Sequence, residues 1–264
     1  MSFFDTHAHL GDGQFLADRS LVLERAAAAG ISRIVEIADA PADWDAALAL
    51  SRARPGQVRC ALGLHPYYAD QFSDELVEKM RRHAHLPEVV AIGEIGLDYV
   101  KASISRDVQL TAFKRILALC RELDKPCVIH CRGAYADLRE ILADLFPKPP
   151  EHARFWGVVH CFSGTENDAI FCTRLGFALG VDGPVTYPKN SELRAALRAA
   201  GLGTLVLETD SPYLPPQSAR GKRNEPSAIA EIAAKVAETF GLPPEDVAAA
   251  TTANALSLYR FAVP

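Results

Sequence analysis

The chain has 264 residues and a mass of 28.6 kDa, about the length of one α/β barrel, and its 49% hydrophobic and 23% charged residues are those of an ordinary globular protein. A net charge of −5 with a pI near 5.9 excludes a broad basic surface, so any polyanion must be attracted locally. No apolar run approaches the roughly 20 residues of a membrane span, and Met1 leads into strand-like sequence without a signal core, which places the chain in the cytosol, away from membranes.

Strand-like runs alternate with helix-like ones along the whole sequence, as in repeated βα units around a parallel sheet. The strands are expected at 3–7, 33–37, 58–62, 89–93, 127–130, 157–160, 177–181 and 205–209. The helices are expected at 20–29, 42–54, 74–85, 105–123, 134–146, 166–175, 191–200 and 227–240, with one more at 244–259. Gly30 and Gly201 follow helical runs as C′ residues do, while Ser73, Ser105 and Ser191 precede helices as caps do. The prolines at 147–150 mark a loop, so residues 1–264 read as one (β/α)8 TIM-barrel domain and a monomer. The six cysteines form no C-x-x-C pair and read as buried thiols.

Six possible metal ligands close the apolar runs: His7 and His9, then Glu94, His130, His160 and Asp210. In extended backbone, His7 and His9 leave one face about 6.6 Å apart along the strand, close enough for two imidazoles to converge on one ion. Closing eight strands into a barrel makes the last a neighbour of the first. Strand order then groups His7, His9 and Asp210 on one ion and His130 and His160 on another, with the two oxygens of Glu94 between them. Nitrogen and oxygen donors without a thiolate suit zinc, manganese or magnesium equally. Two such cations outweigh the two carboxylates and favour an anionic substrate, phosphate above all.

Seven segments in order, DTHAHL (5–10), GLHP (63–66), IGEIGLD (92–98), IHCR (129–132), HCFSG (160–164), ETDSPYLPP (208–216) and RGKRNEP (220–226), resemble the motifs of TatD-type metal-dependent hydrolases over essentially the whole chain. The resemblance implies a (β/α)8 barrel of the amidohydrolase-like group, two divalent cations and hydrolysis of DNA phosphodiesters, including 3′-5′ exonuclease action on single strands. It further implies that His7, His9, Glu94 and Asp210 hold the first metal, that Glu94, His130 and His160 hold the second, and that Asp210 also serves as the base for the attacking water. One departure is that Lys114 or Arg115 stands where the family has a glutamine after the GLD motif. Hydrolysis of another bond at the same site, such as an aminoacyl-tRNA ester or an amide, is the alternative.

His65, steered by Pro66, is a candidate contact to the phosphate or leaving group, and Arg132, two residues past His130, offers a guanidinium fork to phosphate. Asp5 and Glu208 read as partners that orient an imidazole N–H, and Asp98 joins the same network. Tyr67, Tyr68, Tyr99 and Phe162 lie beyond strand ends, where aromatics stack on bases or pack loops. Arg220, Lys222 and Arg223 form the most basic cluster and are candidates for holding a nucleic-acid backbone.

Overall fold

The computed structural model describes residues 1–261. Eight strands, β1 (Phe3–Ala8), β2 (Ile31–Ala38), β3 (Val58–Leu64), β4 (Val89–Asp98), β5 (Cys127–Arg132), β6 (Gly157–Val159), β7 (Phe177–Val181) and β8 (Leu205–Leu207), form one parallel sheet in sequence order. Nine α-helices surround or cap it among the described residues: α1 (Arg19–Ala28), α2 (Trp44–Ala53), α3 (Asp74–Ala84), α4 (Arg106–Glu122), α5 (Tyr135–Leu145), α6 (Glu166–Arg174), α7 (Ser191–Ala200), α8 (Ile229–Phe240) and α9 (Pro244–Leu258). The helices fall within two residues of their expected bounds. Strands β2 to β5 run longer than expected, β4 and β5 staying paired through Asp98 opposite Arg132, while β6 and β8 end at Val159 and Leu207, short of the expected His160 and Thr209.

The sheet closes along a seam between the first and last strands. Asp210 N donates to His7 O at 2.9 Å and His9 N donates to Ser211 O at 2.8 Å. Asp5 reinforces the seam, its carboxylate accepting from Thr209 N at 3.0 Å and from the Thr209 hydroxyl at 2.6 Å. Inside the barrel, residues from every strand, mostly small or β-branched, from Phe4 on β1 to Val206 on β8, make a core packed against Leu256 on α9 and Tyr259 just after it. A larger core fills the layer between strands and helices.

Alternation along the strands carries this inner core up to the mouth. Side chains two residues apart share a face, so Val128 is followed upward by His130 and Arg132, Val158 by His160, and Val206 by Glu208 and Asp210. On β1 and β4 the parity changes, and their registers shift between Asp5 and Ala8 and between Ile92 and Ile95. Those irregularities turn His7, His9 and Glu94 toward the same mouth.

Side-chain caps mark the starts of two helices, α3 and α6. Ser73 accepts from Leu76 N as expected, whereas Ser105 makes no side-chain cap bond. Ser191 lies inside α7, whose N-cap is Asn190. Thr165 and Asp168 form a full capping box on α6. Gly30 and Gly201 adopt positive φ after their helices, +87° and +82°. All six cysteines are free, and only Cys161 is not fully buried.

Candidate metal centre

Glu94 stands at the middle of the barrel mouth, 2% exposed, and two glycines let its neighbours reach it. A Cβ on Gly63 would lie 2.3 Å from Glu94 O and 2.4 Å from Glu94 N, so only glycine lets β3 run beside this turn of β4. A Cβ on Gly96, whose φ is +149°, would meet His130 O at 1.9 Å, so glycine there lets β5 carry His130 close.

The two carboxylate oxygens of Glu94 face different partners. Oε2 lies 3.2 Å from His7 Nε2 and 4.0 Å from His9 Nε2. Oε1 lies 2.8 Å from His130 Nδ1 and 3.6 Å from His160 Nε2. Asp210 Oδ1 completes the first group, 3.2 Å from His9 Nε2 and 3.6 Å from His7 Nε2, with its backbone in the left-handed region at φ +54°. His7 and His9 bring their Nε2 atoms within 3.3 Å of each other.

This donor set fits divalent cations. Atoms that share an ion at about 2.1 Å each lie roughly 3 to 4 Å apart, and these do. Hydrogen bonds also fix which nitrogen is free. Glu208 Oε1 takes His160 Nδ1 at 2.9 Å, leaving Nε2 for the mouth. Asp98 Oδ2 takes His130 Nε2 at 3.2 Å, leaving Nδ1 opposite Glu94. Among the described residues His7 Nδ1 is buried without a hydrogen-bond partner, and its ring stacks on His160, centroids 3.6 Å apart.

The charges follow from burial and contact. Burial opposes ionisation of Glu94, but His160, His7 and the His130 hydrogen bond hold its carboxyl well below the usual carboxylate range. Burial also opposes the His9 imidazolium, yet the Asp210 hydrogen bond and charge raise it to about 9. His65 is different: burial, partly offset by Glu94 and reinforced by His130, pushes it down to about 3. Its Nδ1 accepts Tyr67 N–H at 3.2 Å, which leaves the proton on Nε2, 3.6 Å from Glu94 Oε1. His65 is therefore a neutral N–H donor facing the mouth.

A cavity of about 1020 Å³ opens above these groups and is lined by His65, Tyr67, Tyr68, Arg132, Phe162 and Lys189, among others. Asp5 touches no imidazole; it ties the backbone of β8 to β1, while Glu208 and Asp98 do the orienting. Arg220 is not among the lining residues and stacks its guanidinium on Tyr187, 4.3 Å from the ring centre. Arg223 is taken up by Asp18 and Glu225 at 2.7 to 2.8 Å. The cationic side chains in the cavity wall are instead Arg132 and Lys189, beside the carboxylates of Glu166 and Glu192, and nothing in the motif around Lys189 singled it out. Tyr99 bonds Asp137 on the outside. The glutamine that α4 turns toward the GLD segment is Gln109, which accepts from Asp98 N at 2.8 Å and donates to Asp98 O at 3.1 Å.

The sequence model of the family described as TatD related DNase matches residues 4–260. The chain belongs to the TatD-related DNase family. It is 36% identical to the 3′-5′ ssDNA/RNA exonuclease TatD of Pantoea vagans, over 98% of this chain and 100% of that protein. It is 35% identical to the uncharacterized metal-dependent hydrolase YabD of Bacillus subtilis, over 98% of this chain and 99% of that one. The crystal structure of YJJV, a TatD homolog from Escherichia coli K12, superposes with a TM-score of 0.87 at 32% identity, covering 99% of this chain and 98% of that chain. The barrel is thus that of a TatD-family hydrolase, and the histidine–carboxylate cluster lies at its mouth.

Proposed function

We propose that this chain is a two-cation phosphodiesterase that removes nucleotides from single-stranded DNA ends, with 3′-5′ polarity. The observation that carries this reading is the division of Glu94: one oxygen faces His7 and His9, the other faces His130 and His160. A carboxylate so placed suits a bridge between two ions. His7, His9, Glu94 and Asp210 would hold one cation, and Glu94, His130 and His160 the other. The donor set suits zinc, manganese or magnesium.

Two cations in such a site supply a lowered pKa for a water and neutralise charge on phosphoryl oxygens. The chain's own groups do the rest. Asp210 is held ionised, because the His9 hydrogen bond and the nearby imidazoles outweigh its burial, and Oδ1 is the proposed acceptor of the water's proton. His65 offers its Nε2–H to a phosphoryl or leaving oxygen. Arg132, exposed at the wall, pairs with phosphate through its guanidinium fork. The nucleic-acid reading agrees with the ssDNA/RNA exonuclease for which the Pantoea relative, 36% identical, is named. Among the described residues no helix is long and apolar enough to cross a membrane.

Three substrates tested on one preparation check this reading: a 3′-labelled single-stranded oligodeoxynucleotide, a chromogenic phosphodiester and an aminoacyl ester. Hydrolysis of the two phosphodiesters should vanish on dialysis against a chelator and return with added metal. Activity that survives chelation, or turnover of the aminoacyl ester alone, would overturn it.

A further inference from the structure

Resting on the nuclease reading, we propose that Tyr67 and Tyr213 are base platforms that stack the two unpaired bases on either side of the scissile phosphate. Eight large hydrophobic side chains are exposed among the described residues. Tyr67, 42% exposed, and Tyr213, 46% exposed, are the two of them that line the cavity. The other six lie elsewhere on the surface.

Each ring is seated against a different side of the histidine–carboxylate cluster. Tyr67 meets His65 edge to face, centroids 4.4 Å apart and planes at 84°. Tyr213 meets His9 in the same manner, at 5.6 Å and 71°. His65 lies on the Oε1 side of Glu94 and His9 on the side of Asp210, so the two tyrosines flank the groups that would hold the cations.

Their hydroxyls are already occupied. Tyr213 donates to Asp12 Oδ2 at 2.6 Å, and Tyr67 donates to Asp98 Oδ2 at 3.4 Å. With its hydroxyl bound, each tyrosine offers the cavity a partly exposed ring with little side-chain freedom left to lose. A planar apolar partner fits that surface, and in a polynucleotide that partner is a base face. Base–aromatic stacking tolerates any sequence, because every base has a π-face. It also requires a base without a neighbour stacked on that face, so a paired end is a poorer ligand than a frayed or single-stranded one.

Hexadeoxynucleotides with phosphorothioate linkages at the 3′ end resist cleavage, so their binding to the metal-loaded protein can be read by fluorescence anisotropy. Three versions are compared: intact, abasic at the terminal nucleotide and abasic at the penultimate one. Tyr67→Ala and Tyr213→Ala should each bind the intact strand about tenfold more weakly. Each should be indifferent to one of the two abasic changes that weaken binding to the parent, and to a different one for each tyrosine. Tyr67→Phe and Tyr213→Phe, which keep the ring, should stay within about threefold of the parent. Alanine variants that lose the same factor from all three strands would overturn the proposal, as would coupling of both tyrosines to one nucleotide, or phenylalanine variants as weak as alanine. The same preparations are assayed for hydrolysis of the unmodified strand. If the parent hydrolyses it while no coupling is seen, the platform proposal alone fails. If the parent hydrolyses no strand, both readings fail.

Discussion

His9 and Asp210 show how one contact sets the behaviour of the site. Burial alone would strip His9 of its proton, but Asp210 holds the imidazole at about 9, and Glu208 and Glu94 likewise raise His160 against its burial. A cation needs the free lone pairs of these rings, so at neutral pH it must displace their protons. Metal affinity should therefore rise with pH through neutrality, with protons released on binding at pH 7. Calorimetric titrations in buffers of different ionisation enthalpy measure that release, and a heat independent of buffer would contradict it. At this scale the ligands were legible in the sequence because each one ends an apolar run. The roles of Arg220, Arg223 and Lys189 were not, since a cation's partner is set by which loop folds beside it. Arg223 is claimed by Asp18, 205 residues away in sequence.

Strands β1 and β4 hold the features that plain alternation does not foresee. Counting by twos from the inner core places His130 and His160 correctly, because β5 and β6 are paired without a register shift, and it reaches Asp210 although that residue turns left-handed. The same count fails on β1 and β4, where the register shifts. The glycines of GLHP and IGLD mark where neighbouring backbones approach too closely for a side chain. Gly63→Ala would place a methyl 2.3 Å from Glu94 O. Such overpacking costs about 1–3 kcal/mol, and each kcal/mol moves the midpoint by about 2–4 °C in a chain of this size. The melting temperature should fall by roughly 2–12 °C, with weaker metal binding because Glu94 shifts. An unchanged midpoint together with full metal content would show that β4 does not depend on this gap.

Across the whole molecule, the cluster draws on five segments of the barrel, β1, β4, β5, β6 and the end of β8. A ligand that binds only the folded state stabilises it by about 2.7 kcal/mol at one hundred times its dissociation constant. Saturating metal should thus raise the melting temperature by about 5–10 °C over chelated protein, read by calorimetry. Identical melting with and without metal would show that the clustered ligand atoms gather no ion. The order of the strands was readable from the alternating runs, and helix bounds from the helix-like runs between them, with capping chemistry marking only the starts of α3 and α6. The closure was expected only as neighbourhood; its means, Asp5 holding Thr209 and His7 O holding Asp210 N, depend on contacts over some two hundred residues of chain.

That seam also puts the chemistry on a clock. A chain emerging from its N-terminus carries His7, His9, Glu94, His130 and His160 long before Glu208 and Asp210 exist to orient or join them. While the last strand is missing, β1 has an open edge, His160 has lost the carboxylate that fixes its tautomer, and the proposed base is absent. Synthesis and hydrolytic competence are in this way kept apart in time: the working site comes into being only when the end of the barrel docks against its beginning.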